Sequence, residues 1–319
     1  MKKLACLTAA LALSVSLSLP ALAVNVNQAF PVINHNPEFV DVIERDWFYS
    51  AVDTCAKIGL MNGTGNNAAG SPLFSPNQTL TVGEVAAIAA RIGAGITGGE
   101  IPMITPKPGE TLPWYESYVN YLENLGVTVP DPAKQATRQQ FVTLLAAVVP
   151  DELLQPINHI ETLPDTSDPD VLTFYNAGIL TGTDAWGTFD GAKSLTRAET
   201  AAMVARVVRD TQRQSFTPAD PRLLQAAGMD KDDVLFVTTT ASVTAGQFLP
   251  EVAKRIQFLE KQPSGFNWNN MYGDQTYREY VLEGAYQALG VSDRVATDLY
   301  KTFDVQVWYS KLLDLGVRY

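Results

Sequence analysis

The chain has 319 residues and is acidic, with 34 Asp and Glu residues against 23 Lys and Arg and a formal net charge of −11. This balance argues against a nucleic-acid partner, which would require a basic surface. Two cysteines and two histidines supply neither a disulfide framework nor metal ligands at a recognisable spacing, so we expect no metal and no cofactor.

The N-terminal segment has the pattern of a secretory signal peptide. Lys2 and Lys3 precede an apolar run over residues 4–19, and the small-x-small pattern Ala21-Leu22-Ala23 follows. The pattern predicts a signal peptide over residues 1–23, because a membrane anchor would need a longer run. We expect no transmembrane segment after it. The mature chain then keeps one cysteine, Cys55, which we expect to be a small buried side chain.

After a lead of residues 24–38, the sequence repeats itself. The first repeat, residues 39–94, aligns with the third, residues 163–210, because valine, two glycines, phenylalanine and threonine recur in the same order. A shortened second repeat covers residues 114–150 and lacks the glycine-rich loop of the other two. Residues 95–113 are rich in Pro and Gly, which is typical of a linker.

Each repeat predicts a helix, a loop and a second helix, so we expect a mainly α fold. One such hairpin cannot bury both of its apolar faces, and the three repeats should therefore pack around a shared core. A glycine closes each predicted first helix and a threonine caps each predicted second helix; these residues are Gly59, Gly126 and Gly178, and Thr81, Thr137 and Thr196.

Arg197 occupies an unusual position in the third repeat. Thr196 and Glu199 form a predicted capping box, which makes Arg197 the first residue of the helix. A cation at this end of a helix is opposed by the helix dipole. We therefore expect an anionic group to meet its guanidinium.

The order of these landmarks resembles the S-layer homology (SLH) repeat. The first repeat reads FVDV, WFYSAV, GLMNG and FSP, and the third reads LPD, GILTG, TF and LTRAE. The resemblance implies three SLH repeats in a pseudo-threefold helical bundle over about residues 39–210. It also implies a secreted bacterial protein on the cell wall or surface layer, with grooves that bind secondary cell-wall polysaccharide attached to peptidoglycan. That polymer often carries pyruvate ketals.

By this resemblance Arg197 is the anchor of one groove and Arg138 is the matching residue of another. A guanidinium can bind a carboxylate through two parallel hydrogen bonds, and free N–H groups at the helix start would add donors. The alternative is that each arginine ties two repeats together through an acid. Val82 replaces the arginine in the first repeat, so we expect at best one good groove and one partial groove. The predicted polysaccharide-binding residues are Arg197, Arg138, Asp165, Asp41, Trp47, Trp114, Trp186, Gly182 and Lys193.

Several of these residues have a second interpretation. Asp41 and Asp165 are equivalent positions of two repeats, so we expect turn caps or groove hydrogen-bonders and not a catalytic pair. Tryptophans in repeats are more often packing residues than sugar platforms. His35 and His159 are expected to be solvated. We therefore expect no catalytic residue and no enzyme activity.

The C-terminal third, residues 215–319, does not follow the repeat. It predicts a short strand over residues 234–240, a helix after Thr244 that contains Pro250, and a helix capped by Asp274 or Thr276. Together these form a smaller α-rich module. The order of elements shows a weak similarity to the chaperone segment of exported parvulin-type foldases, although no parvulin domain follows.

These observations favour a wall-anchoring, carbohydrate-binding protein. One alternative is an envelope-tethered folding helper whose C-terminal module binds clients, which partial exposure of Phe266, Trp268 and Tyr272 would favour. Another is a self-assembling surface-layer subunit, so other envelope proteins or further copies of the chain are possible partners.

Overall fold

The computed structural model describes residues 26–35, 37–237, 242–291 and 303–319. The predicted signal peptide, residues 1–23, lies outside these ranges. Within them the chain is mainly α-helical, as the repeats predict. No helix among the described residues has the length and apolar character needed to cross a membrane.

Eleven α-helices and six short strands make up the described part of the chain. In the bundle the helices are α1 Val26–Ala29, α2 Tyr49–Lys57, α3 Val82–Thr97, α4 Glu116–Asn124, α5 Arg138–Ala146, α6 Pro169–Asn176 and α7 Arg197–Val208. In the C-terminal module they are α8 Arg222–Ala227, α9 Ala245–Glu260, α10 Tyr277–Ala288 and α11 Val305–Asp314. The strands are β1 Gly65–Asn66, β2 Pro72–Leu73, β3 Val234–Val237, β4 Ser242–Thr244, β5 Met271–Tyr272 and β6 Gln275–Thr276.

The predicted helix signals are confirmed. Thr81, Thr137 and Thr196 each cap a second helix through a complete capping box. The closing glycines after the first helices all adopt the left-handed conformation, with φ between 73° and 85°. One boundary of the sequence analysis is wrong. Helix α3 continues to Thr97, so the first residues of the predicted linker 95–113 are helical.

A closed ring of backbone hydrogen bonds joins the three repeats just before their second helices. The N–H of Leu80 donates to the carbonyl of Leu195, that of Leu195 to Ala136, and that of Ala136 to Leu80, at 3.1, 3.2 and 2.8 Å. Each repeat therefore contacts both others in the same register. The arrangement is a pseudo-threefold bundle.

Helices pack around this ring in cyclic order. The first helix of each repeat lies against the second helix of a neighbouring repeat, in the pairs α2 with α7, α4 with α3 and α6 with α5. One continuous apolar core lies between them. Cys55 is fully buried in this core, as predicted, and burial raises the pKa of its thiol well above the usual range.

The lead is part of the bundle. The N–H groups of Ile33–Asn34 donate to the carbonyl of Lys57 at the end of α2, at 2.8 and 3.0 Å. Those of Ile157–Asn158 donate in the same way to Asn176 at the end of α6, at 2.7 and 2.9 Å. Both segments therefore form an equivalent brace on the first helix of their repeat.

The C-terminal module has its own apolar core, built from α8 to α11 and the β3–β4 ribbon. Thr276 caps α10, and α9 starts after Thr244 and runs without interruption through Pro250. The predicted strand over residues 234–240 is present as β3, Val234–Val237, as far as the described residues extend. The described residues of this module also contain further strands, which form two antiparallel ribbons, β3–β4 and β5–β6.

Candidate functional site

Two aspartates order the turns before the second helices. The Asp41 carboxylate accepts the N–H groups of Phe74 and Ser75 at 2.8 and 2.7 Å. Asp165 accepts those of Phe189 and Asp190 at the same two distances. Ser75 and Asp190 both have positive φ, 58° and 52°, so each turn is one that an L-residue seldom adopts and needs this support. Both aspartates therefore act as turn caps, the first of the two roles expected for them.

Arg197 clamps the first repeat to the third. Its Nε donates to the carbonyl of Phe74 at 2.7 Å, its Nη2 donates to that of Asn62 at 2.5 Å, and the guanidinium lies 4.6 Å from the centre of the Phe74 ring. The residue is only 7% exposed, and burial lowers its pKa although the charges of Glu84 and Asp41 partly oppose that effect.

This geometry corrects the expectation that Arg197 anchors a ligand. The group that meets the cation is backbone carbonyl, not an acidic sugar and not an acid side chain. The helix N–H groups expected to help bind an anion are also occupied, since those of Arg197 and Ala198 donate to the carbonyls of Gln78 and Pro76 at 2.9 and 3.0 Å. Arg197 therefore has the alternative role, a contact between two repeats. It makes this contact with backbone carbonyls and not with an acid side chain.

The same contact explains why the first repeat has Val82 where the other two have an arginine. The N–H of Val82 donates to Lys134 at 2.8 Å, so the first repeat faces the second at this point. The second repeat lacks the long loop and its phenylalanine, which supply the carbonyls that Arg197 binds elsewhere. The arginine is therefore missing where its acceptor is missing.

Arg138 makes the corresponding contact with the third repeat. Its Nε donates to the carbonyl of Phe189 at 2.8 Å, and the guanidinium lies 5.4 Å from the Phe189 ring centre. Arg138 is 6% exposed. Unlike Arg197, it also forms part of the wall of an open cavity.

This cavity has a volume of about 300 Å³ and draws on all three repeats. Four of the predicted binding residues line it together: Trp47, Arg138, Gly182 and Lys193. The rest of its wall comes from the loop after α6 and from one face of α7, namely Ile179, Leu180, Thr181, Thr183, Glu199, Ala202, Met203 and Arg206.

The cavity is cationic although the chain is acidic. Arg138, Lys193 and Arg206 face a single acid, Glu199, whose Oε1 accepts from Lys193 Nζ at 2.7 Å. Burial alone would raise the pKa of Glu199, but the hydrogen bonds from Lys193 and Thr196 outweigh it and the pKa is lowered. Burial, and then the charge of Arg138, lower the pKa of Arg206. The excess of positive charge suits an anionic ligand.

Sequence reasoning missed Arg206 as a site residue. Its Nη1 donates to the carbonyl of Ile179 at 3.0 Å, which orders the loop that lines the cavity. A signal was present, since Arg91 occupies the same position relative to its threonine cap in the first repeat. Arg91 lies against Tyr118, with Nη2 donating to the hydroxyl at 3.0 Å.

The three predicted tryptophan platforms differ in exposure. Trp47 is 67% exposed at the edge of the cavity, and Trp114 is 59% exposed beside α4. The structure corrects the prediction that Trp186 binds a sugar. Trp186 is 8% exposed and packs into the core of the C-terminal module, where its Nε1 donates to the carbonyl of Gly246 at 2.9 Å. It has no face left for a sugar.

The rings that bear on the folding-helper alternative are mostly engaged in packing. Phe266 and Trp268 are half-buried, and their ring centres lie 4.9 Å apart. Both rings contact Tyr309. Tyr272 is exposed and contacts Phe258. A client-binding role for this module stays a prediction.

Among the residues that the structure describes, no group of His, Cys, Asp or Glu side chains could hold a metal ion. His35 and His159, the two histidines of the chain, are both exposed, as expected.

The family comparison agrees with the sequence landmarks. Residues 38–86 match the S-layer homology domain, which covers the first repeat as far as the start of α3. The chain therefore carries an S-layer homology domain in its first repeat. This domain indicates a protein associated with the bacterial cell surface or cell wall. No curated protein matches the chain, and the similarity of the C-terminal module to foldase chaperone segments stays a prediction.

Proposed function

We propose that the chain anchors itself to the cell wall by binding an anionic secondary cell-wall polysaccharide in the cavity between Trp47, Arg138 and Lys193. The cavity binds and does not cleave, so the protein is not an enzyme. The ligand group is a carboxylate, such as that of a pyruvate ketal. The observation that carries the proposal is the set of three cations around one pocket on a chain of net charge −11.

The geometry gives three of the lining residues a role. The Arg138 guanidinium is held by the carbonyl of Phe189, so it is fixed before the ligand arrives and loses little entropy on binding. Lys193 is exposed and can turn from Glu199 to the ligand. Trp47 offers an exposed flat face at the cavity edge, which suits stacking against a sugar ring.

Retention on purified cell-wall sacculi tests the proposal. The mature protein should sediment with sacculi, and chemical removal of the secondary polymer should abolish retention. Lys193→Gln should weaken retention about tenfold, because the loss of one hydrogen bond from a charged group, about 1.5 kcal/mol at the low end of the range, corresponds to a factor of about ten.

Lys134→Gln is the matched control. Lys134 is exposed and stands three residues before Thr137, as Lys193 stands before Thr196, but it does not line the cavity. The change in net charge is the same in both variants. Equal retention of the two, or retention that survives removal of the polymer, would contradict the proposal.

A further inference from the structure

We propose that the C-terminal module orders the loop that forms one wall of the cavity, so that docking of this module and polymer binding are coupled. Trp186 is the positioning residue. The binding half of this inference rests on the proposed function, whereas the ordering half does not.

The loop in question, residues 182–190, has one end in the cavity. Gly182 and Thr183 line it. The turn that follows is closed on itself, because the N–H of Thr183 donates to the carbonyl of Thr188 at 2.8 Å. Asp184 braces the turn from inside, with Oδ1 accepting the N–H groups of Trp186 and Thr188, both at 3.0 Å.

The middle of the same loop is docked on the C-terminal module. Besides the Trp186 bond to Gly246 at the start of α9, the N–H of Ala219 donates to the carbonyl of Ala185 at 2.8 Å. Lys231 Nζ lies 3.6 Å from Asp184 Oδ2. A loop of nine residues is thus bonded to the module at consecutive positions, 184, 185 and 186.

The docked loop also contacts the cationic wall of the cavity. The Tyr175 hydroxyl donates to the carbonyl of Gly187 at 3.2 Å, and Arg138 Nε donates to the carbonyl of Phe189 in the same loop at 2.8 Å. Gly187 has φ of 80°, and a Cβ at this position would lie 3.3 Å from the side chains of Phe216 and Pro218, so the loop passes close to the start of the module. Continuous contacts therefore run from Arg138 through Phe189 and the rest of the loop to Trp186 and on to α9.

The first repeat shows what such a loop looks like without this docking. Its equivalent segment forms the small β1–β2 hairpin, and most residues between 62 and 72 are exposed. The loop can therefore form in a repeat without help from the C-terminal module. Docking on the C-terminal module is therefore a further feature of the third repeat, whose loop lines the cavity.

Coupling follows from linkage. If docking orders the loop, the ligand meets a wall that has already lost its conformational entropy, and the module and the ligand stabilise each other by the same factor. Such couplings amount to about 5- to 150-fold. For a single docked loop we expect about tenfold.

Hydrogen exchange and sacculus retention of the full-length mature protein test the inference. Trp186→Ala should speed exchange of the amides of residues 183–188 and weaken retention about tenfold. Trp186→Phe keeps most of the packing but loses the indole donor, so both effects should be smaller and in the same direction.

Trp308→Phe is the matched control. Trp308 lies in the same core and its Nε1 donates to the carbonyl of Leu223 at 3.0 Å, so it loses an equivalent bond that does not touch the loop. In this variant, hydrogen exchange of the amides of residues 183–188 and retention on sacculi should equal those of the wild type.

The outcomes separate the two proposals. Unchanged loop exchange in both Trp186 variants overturns the inference, and so does faster exchange with wild-type retention. A wild-type protein that is not retained on sacculi refutes the proposed function and the coupling, and the exchange rates then decide whether the module orders the loop.

Discussion

Replacing Arg197 by alanine should destabilise the bundle, even though the residue resembles a ligand anchor in sequence. The side chain is 7% exposed, and both of its hydrogen bonds end on carbonyls of the first repeat. The substitution leaves the carbonyls of Phe74 and Asn62 without this donor. It also removes the cation from the Phe74 ring.

The magnitude follows from these contacts. A hydrogen bond that involves a charged group contributes about 1.5 to 3 kcal/mol, and a cation over an aromatic ring adds about 0.5 to 2 kcal/mol. Burial of the guanidinium, which lowers its pKa, costs part of this gain. We expect a net loss of about 3 kcal/mol in the free energy of unfolding. Arg197→Lys should lose about half as much, because lysine reaches one carbonyl but not both.

Urea unfolding followed by circular dichroism measures this loss, and sacculus retention at a concentration of urea well below the transition measures binding. Arg197→Ala should shift the unfolding midpoint while the folded fraction is still retained. Full stability combined with lost retention would refute the reasoning, because the guanidinium would then serve the ligand and not the contact between repeats.

Three further predictions concern single groups. Cys55 should not react with a thiol reagent in the folded protein at about pH 8 and should react fully in urea, since burial raises the pKa of its thiol; rapid labelling of the native state would contradict its burial. The pKa of Glu199 is lowered from its ordinary value of 4.5, so its contribution to stability is complete above that pH and is lost as the pH falls through the lower folded value. Urea titrations between about pH 3 and 6 should therefore show a smaller acid loss in Glu199→Gln, and equal slopes would exclude this role. Asp165→Ala should cost about 2 kcal/mol because two backbone N–H groups lose their acceptor, with Asp165→Asn costing less; a thermal unfolding midpoint that does not move in either variant would be inconsistent with a turn cap.

The helix signals were readable from sequence because they act over a few residues. A threonine cap and its partner three positions later interact within one turn, and a glycine that closes a helix acts through its own φ. The internal repetition also predicted that the three repeats pack together around a shared core. It also held one signal that sequence reasoning passed over, the tripeptide Ile-Asn-His at residues 33–35 and 157–159, which marks the equivalent braces on α2 and α6.

The roles of Arg197, Arg138 and Trp186 were not readable in this way. Arg197 binds a carbonyl 123 positions away, and Trp186 binds one 60 positions away. Local sequence does not reveal which surface faces a residue at such a separation. The same motif therefore yields a buried clamp at Arg197 and the wall of an open cavity at Arg138.

By itself the sequence determined the starts of the second helices, the ends of the first helices, the threefold repetition and the mainly α class, because these depend on short-range hydrogen bonding and on periodic apolar faces. Only the tertiary structure decided which of the repeated residues converge on one cavity. That outcome depends on which loops the repeats retain and on where the C-terminal module packs, since both change the neighbours of an otherwise equivalent side chain.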